Sequence, residues 1–321
     1  MKHELLILRH GKSDWSTGDD DFDRPLVDRG KRGAQRMGVW LATNNMAPDY
    51  IVTSPAERAL VTAEKSCKAM GNGSDDIVKD QRIYLADVED LMEVIHGLPE
   101  NKKRVMLVGH NPGLEELLLT LSSDEVQYGE DGKLLPTATL AILHTDKKWS
   151  KQGSGSAKLV KLIRPRELPR KFPWPLMEGK EYRDRPAYYY DQSSVIPYRL
   201  RDGEVEILIV RSSKQKHWVV PKGIHDPGHS AQSSAAKEAK EEAGVKGEVH
   251  DERIGQYRYE KWGATCNVGV YALRVDHEIP ESEWEESHRS RQWVSAAKVA
   301  DMVKQEELGP MIIALSQQLT K

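Results

Sequence analysis

A chain of 321 residues with 38% hydrophobic side chains is long enough for two domains of ordinary size. Its formal net charge of −3 gives no case for a nucleic-acid polymer or an anionic membrane as partner. Two cysteines far apart, Cys67 and Cys266, make neither a disulfide framework nor a zinc pattern, and no stretch reaches transmembrane length, so a cytoplasmic protein is expected.

The first apolar run, Leu5-Leu6-Ile7-Leu8, is too short for the core of a signal peptide and predicts a strand buried on both faces. It ends in Arg9-His10-Gly11-Lys12-Ser13. A helix follows from about Asp28 to Thr43, with Ala34, Met37 and Leu41 inward, then a strand over Tyr50–Thr53. Pro55 suits the first turn of a helix through Arg58, Ala59 and Thr62. A further helix is expected over Val88–Gly97. A second fully apolar strand, Val105–Val108, runs into Gly109-His110-Asn111-Pro112-Gly113 and a helical Leu114–Leu121. Thr139–Leu143 and Leu159–Ile163 read as later strands. Strands alternating with helices predict a sheet covered on both faces, with ligands bound beyond the carboxyl ends of the strands. Arg9, His10 and His110 all stand just past such ends.

A histidine attacks phosphorus when one ring nitrogen is unprotonated and the other is held by a hydrogen bond. Phosphoryl transfer then needs cationic positioning, which the planar fork of arginine provides. Taken together, Leu8-Arg9-His10-Gly11-Lys12-Ser13, Arg24-Pro25-Leu26, the string Ser54 to Ala59, the string Val108 to Leu117 and Leu135-Pro136-Thr137 resemble the histidine phosphatase superfamily, and within it the small SixA-type phosphohistidine phosphatases. The resemblance covers residues 1–168. It implies that His10 is the phosphorylated nucleophile, that Arg9, Arg58 and His110 hold the phosphoryl oxygens, that Ser13 and Asn111 contact substrate, and that no cofactor is needed. Asp87, Glu89 and Asp90 lie in the interval where larger members keep a proton donor, and the choice among them stays open.

Five prolines between Pro165 and Pro186, among Arg, Lys, Phe172 and Trp174, mark a boundary that disfavours helix interiors and central strands; residues 169–189 are read as a linker packed on a domain surface. The second domain, 190–321, opens with strands Ser194–Leu200 and Val205–Arg211 joined by an Asp202-Gly203 hairpin turn. Trp218 to Gly223 leads to a Gly/Pro loop and a helix that stops at Gly244. Strands over Glu248–Tyr259 and Thr265–Val275 and a helix near Ala296–Lys304 complete the pattern.

On that helix Glu238, Glu241 and Glu242 stand at i, i+3 and i+4, so three carboxylates share one face. A solvated acidic face has the same composition; a hard divalent cation would turn the mutual repulsion into binding. The whole string from Gly223 to Val245 decides between them, because Gly223, Glu238, Glu241, Glu242, Gly244 and Val245 match the Nudix box in register. His229 stands where the box has Glu and Lys237 where it has Arg. Within the Nudix hydrolases, Trp218 to Gly223 and Trp284-Glu285-Glu286 resemble the diphosphoinositol polyphosphate phosphohydrolase-like group. The resemblance implies Mg²⁺ or Mn²⁺ on Glu238, Glu241 and Glu242, with Glu238 and Glu241 catalytic.

The expected fold class is α/β: an N-terminal histidine-phosphatase-like α/β/α sheet domain and a C-terminal Nudix α/β/α sandwich. Arg211, Lys214, Lys216 and Lys222 form a cationic approach suited to a phosphorylated substrate. Trp218, Tyr257 and Trp262 keep a nucleotide base open. The expected activity is bifunctional. The Nudix half would cleave a diphosphate linkage of an inositol pyrophosphate, dinucleoside polyphosphate or nucleoside triphosphate with a metal, and the first half would remove phosphate without one. The partner is a small phosphorylated metabolite. The alternative is a phosphatase acting on a phosphohistidine protein, with the Nudix half sensing a polyphosphate ligand.

Overall fold

Leu5, Leu6, Ile7 and Leu8 are at most 2% exposed, at the centre of a six-stranded sheet with helices on both faces. Burial of such side chains contributes about 1.5–3 kcal/mol each, which makes this strand the anchor of its domain. The structure, a computed structural model, describes residues 2–129 and 132–320. The chain divides into two units, Met1–Pro186 and Ala187–Lys321. Among the described residues no helix is long and apolar enough to cross a membrane.

The first unit runs β1 (His3–Arg9), α1 (Asp28–Thr43), β2 (Tyr50–Thr53), α2 (Glu57–Ala69), β3 (Val78–Lys79), α3 (Val88–His96), β4 (Arg104–Gly109), α4 (Gly113–Leu121), β5 (Leu140–Thr145) and β6 (Lys158–Ile163). The sheet order is β3-β2-β4-β1-β5-β6, parallel from β3 to β1 and antiparallel beyond. One face packs Leu5, Ile7, Val105 and Leu107 against α3 and α4; the other packs Leu6, Leu8, Met106 and Val108 against α1 and α2. β3 has no apolar pattern and both its residues are exposed, which is why periodicity does not reveal it. The proline-rich stretch carries a separate hairpin, β7 (Phe172–Trp174) with β8 (Glu181–Arg183), and belongs to this unit. Phe172 is buried, and the Arg183 guanidinium lies 3.5 Å over the Trp174 ring.

The second unit is built on β9 (Asp191–Arg201), β10 (Glu204–Arg211), β11 (Trp218–Val219), β12 (Lys222–Ile224), α5 (Ala231–Ala243), β13 (Val245–Lys261), β14 (Ala264–Glu278), β15 (Arg291–Ser295), α6 (Ala296–Met302) and α7 (Leu308–Leu319). β11-β10-β9-β14-β13 pair in that order, with β12 on β9 and β15 on β10. The hairpin turn is as expected, with Asp202 and Gly203 both at positive φ. One face takes Ala235, Ala239 and Ala243 of α5; the other takes α6 and α7.

Where α1 meets the loop after β1, two glycines make the approach possible. A Cβ on Gly30 would lie 2.2 Å from the Lys12 carbonyl oxygen, and one on Gly11 would lie 2.7 Å from that of Gly30. Helix propensity alone would make Gly30→Ala favourable by up to about 1 kcal/mol. The clash is with backbone, so overpacking wins: Gly30→Ala is expected to cost about 1–3 kcal/mol, read as a lower urea midpoint of the first unit.

Candidate active sites

Parallel pairing of β1 with β4 ends with Arg9 opposite Gly109, so the next residues, His10 and His110, emerge side by side. The His10 amide donates to the Gly109 carbonyl at 3.0 Å, and the two imidazole centroids are 5.1 Å apart. His10 is 8% exposed and His110 6%. His10 Nδ1 donates to its neighbour, the Gly11 carbonyl, at 2.7 Å. A carbonyl only accepts, so the proton sits on Nδ1 and the lone pair on Nε2. His110 Nε2 is 2.8 Å from Ser54 Oγ, just past the end of β2.

Arginines surround this pair. Arg58, on the first turn of α2, is 3% exposed and pairs with Asp21 Oδ2 at 2.8 Å, with a second, short bond to the Asp21 carbonyl. Arg24 pairs with Asp21 Oδ1 at 2.8 Å and stacks over Trp15. Arg9 donates to the Leu135 carbonyl at 2.7 Å. Arg9 Nε, Arg24 Nε and Nη1, Arg58 Nε and His110 Nδ1 are buried without a hydrogen-bond partner. Unfilled buried donors are costly, and the four guanidinium N–H groups among them could be filled by an oxyanion.

The same crowding keeps the histidines neutral. Burial, then the charges of Arg58, Arg9 and Arg24, lowers His10 to about 4 against the support of the Gly11 carbonyl. Burial, then His10 and Arg58, lowers His110 to about 3. Asp21 is driven up by burial, but hydrogen bonds from Tyr84 and Arg58 and the charges of Arg58 and Arg24 outweigh that, so its carboxyl is lowered and stays ionised. Arg24, Asp21, Tyr84 and Ser54 were not singled out from sequence. Arg24 and Ser54 lie in motif strings already quoted; Asp21 and Tyr84 carry no local signal. Asp87, by contrast, caps α3, accepting from the Asp90 amide, and Glu89 and Asp90 are exposed. Ser13 is buried in a bridge with Leu26, and Asn111 Nδ2 donates to the Leu135 carbonyl at 3.1 Å.

In the second unit β12 delivers Gly223 against α5. A Cβ there would fall 1.9 Å from Glu238 Oε1, so only glycine admits the carboxylate. Glu238 accepts no hydrogen bond among the described residues. Burial, then the charges of Glu242 and Glu241, raises it to about 8. Glu241 and Glu242 are raised too, chiefly by burial. Glu242 accepts from the Lys222 amide at 3.0 Å and pairs with Arg289 Nη2 at 2.8 Å. Lys237 pairs with Asp226 Oδ2 at 3.0 Å and lies 4.0 Å from Glu241 Oε1. His229 sits in the loop, its carbonyl 2.8 Å from His225 Nε2. Among the described residues no group of three or more His, Cys, Asp or Glu is gathered as a ready metal cage. The carboxylate chemistry nonetheless fits a hard cation, which would relieve the repulsion that raises Glu238.

The cationic approach is dispersed. Lys222 is largely buried, its Nζ 3.1 Å from the Tyr259 hydroxyl, and burial lowers its pKa. Arg211 stacks on Trp218 at 4.1 Å. Lys214 and Lys216 are exposed on the β10–β11 turn and make no ion pair among the described residues. Tyr257 is 3% exposed in the core and Trp262 packs edge-on to Tyr189, so neither joins Trp218 in a sandwich. Arg289 and Asp226 are the charged groups that sequence reasoning missed; both follow from contacts distant in the chain or across a loop.

Comparisons with known proteins relate each unit to a family. The histidine phosphatase superfamily (branch 1) profile matches residues 5–91, and the NUDIX domain profile matches residues 191–314. An uncharacterized protein of Mycobacterium tuberculosis is 32% identical over 164 residues, 50% of this chain and 100% of its own length. Nudix hydrolase 4 of Arabidopsis thaliana is 33% identical over 120 residues, 34% of this chain and 56% of its own. The protein histidine phosphatase SixA, solved with tungstate, aligns at 20% identity and a TM-score of 0.43 over 51% of this chain and 98% of its own. The chain carries a domain of the histidine phosphatase superfamily (branch 1) in its first unit and a Nudix domain in its second. Both are hydrolase domains, and the protein is a hydrolase.

Because burial and arginine charge both disfavour a second proton, the His10 ring is expected to remain neutral down to roughly pH 5 and to titrate near the value of about 4. Imidazole NMR of the free protein measures this; a midpoint above that of free histidine would contradict the electrostatic account.

Proposed function

We propose that the chain is a bifunctional phosphohydrolase. The first unit removes phosphate through phospho-His10 without a metal, and the Nudix unit cleaves a diphosphate linkage with one. The observation that carries the first half is a neutral, buried His10 among unfilled donors of Arg9, Arg24 and Arg58. In this reading Nε2 attacks phosphorus while Nδ1–H stays on the Gly11 carbonyl, and an N–P bond forms as the bond to the leaving group breaks. The arginine forks neutralise the oxygens of the phosphoryl group in transit. Water then takes the phosphoryl group from His10. Asp21, held ionised, is a poor proton donor. That favours leaving groups needing little protonation, such as a phosphate of an anhydride or the imidazole of a phosphohistidine protein.

In the Nudix unit Glu238, Glu241 and Glu242 would hold Mg²⁺ or Mn²⁺, which when bound supplies Lewis-acid stabilisation of phosphate oxygens and a more acidic water. Gly223 leaves room for the Glu238 carboxylate, and Arg289 keeps Glu242 oriented. Candidate substrates are inositol pyrophosphates, dinucleoside polyphosphates and nucleoside triphosphates. A second reading, in which this unit senses a polyphosphate ligand, is favoured by His229 and Lys237, which stand where the Nudix box has Glu and Arg.

Chelation separates the two. EDTA is expected to abolish diphosphate cleavage and spare His10-dependent release of phosphate; loss of both would refute two independent sites. Glu238→Gln and Glu241→Gln should each lower diphosphate cleavage at least about 10²-fold. If neither does, the sensor reading holds. Restoring the box with His229→Glu and Lys237→Arg together should keep or raise activity. In EDTA at pH 8, Glu238→Gln should also raise the melting temperature of the second unit. A carboxyl whose folded pKa is raised from 4.5 to about 8 destabilises progressively as pH climbs through that window, and the amide removes the charge. Unchanged melting in the variant would show that the repulsion is relieved by other means.

His10→Ala should eliminate acid-labile phosphoenzyme together with the metal-independent activity. Phosphoenzyme persisting in that variant, on His110 for example, would identify a different nucleophile.

A further inference from the structure

Beside the phosphatase site the first unit holds a cavity of about 950 Å³ whose charged lining residues are, with one exception, cationic. Its inner end is formed by Arg9 and Asn111, the residues next to His10 and His110. From there it extends along α1, where Arg29, Gly33 and Arg36 recur at i, i+4 and i+7 on one helical face. Gly33 carries no side chain into this space; a Cβ would already stand 3.2 Å from that of Ala138. The facing wall is the turn around Pro165, bearing Arg164 and Arg166, with Arg170 beyond.

Eight basic side chains line the cavity against one carboxylate, Glu115; with Lys133 and Arg166 engaged by partners of their own, the other six leave a formal surplus of five positive charges among the described residues. Glu115 is itself engaged, accepting from the Leu135 amide at 2.8 Å. Arg29, Arg36 and Arg170 make no ion pair among the described residues. Arg36 Nε and Arg164 Nε are buried without a hydrogen-bond partner. Burial and then the charges of Arg32, Arg170 and Arg29 lower the Arg36 pKa, the mark of a cluster that repels itself. A fold gains nothing from such an arrangement in the absence of an anion.

We propose that this cavity is a second anion site, which binds the additional phosphates of a compact, multiply phosphorylated small molecule while one phosphate is presented to His10. The proposal rests on the phosphatase reading of the first unit and assigns it a substrate class. Charge density selects phosphate. Each phosphate carries about −1.5 to −2, so about three of them balance the surplus, whereas carboxylates would have to number five in the same volume. The size is that of a small-molecule pocket. An acidic peptide would bring one charge per residue and would have to order a flexible chain to deliver them.

The test uses the full chain with His10→Ala, so that nothing turns over, in EDTA, so that the Nudix unit is without cation. Calorimetry is run with inositol hexakisphosphate, inorganic tripolyphosphate, orthophosphate and a hexaglutamate peptide. The first two are expected to bind at least about 10²-fold more tightly than orthophosphate. The triple variant Arg29→Ala, Arg36→Ala, Arg170→Ala should lose at least about tenfold of that affinity. The single Arg170→Ala, a change at an exposed side chain, should lose about threefold and guards against misfolding of the triple. With His10 intact, the triple variant should hydrolyse p-nitrophenyl phosphate as the wild type does. Undiminished binding in both variants overturns the proposal. So does hexaglutamate binding as tightly as inositol hexakisphosphate and lost in the same variants, which would mark a protein-docking surface. If p-nitrophenyl phosphate hydrolysis is indifferent to His10→Ala, the phosphatase reading fails, and the calorimetry still decides whether the cavity takes polyphosphates.

Discussion

The pairing of Arg9 with Gly109 at the end of two parallel strands is the constraint on which the first unit depends. Both strands are buried on both faces, so a slip of one residue would exchange one packed layer for the other and is forbidden by the core. Locked in that register, the chain must leave the sheet at His10 and His110 together. Everything else converges on them from outside: Arg58 from the first turn of α2, Ser54 from the end of β2, Arg24 and Asp21 from the long loop before α1. Asp21 offsets part of the arginine charge, and the donors it leaves unfilled are those that the proposed phosphoryl group would occupy.

The second unit solves the opposite electrostatic problem. Here carboxylates are crowded, and the protein answers with point contacts. Arg289 takes Glu242 and Asp226 takes Lys237, while Glu238 faces the bare α-carbon of Gly223. Lys237 stands where the Nudix box has arginine. A lysine brings a charge without the planar fork, and its nearest anion is Asp226 at 3.0 Å, with Glu241 1.0 Å farther away. The altered box is therefore internally satisfied at Lys237 and Glu242 and unsatisfied at Glu238, the carboxylate with the largest upward shift of the three.

The order of strands and helices was legible because the apolar runs and their punctuation are strong. α1 and β2 have the ends that the pattern predicts, and Gly244 closes α5 in the left-handed conformation expected of it. His10, His110, Arg9, Arg58 and the three glutamates were legible because each lies in a contiguous motif. β3, the β7–β8 hairpin and α7 were not: two are short or proline-bearing, and α7 is defined by what it covers.

Sequence by itself determined the two families, the buried strands and the identity of the motif residues, since these depend on local pattern and spacing. Tertiary structure alone decided which charges meet. Asp21 and Arg58 are 37 residues apart, Glu242 and Arg289 are 47 apart, and the basic cavity draws on α1, the Leu135 loop and the turn at Pro165. The reason is physical. Desolvation and pairing depend on distance in space, and distance in space between segments of a long chain is set by the packing of the whole core, which no local window contains.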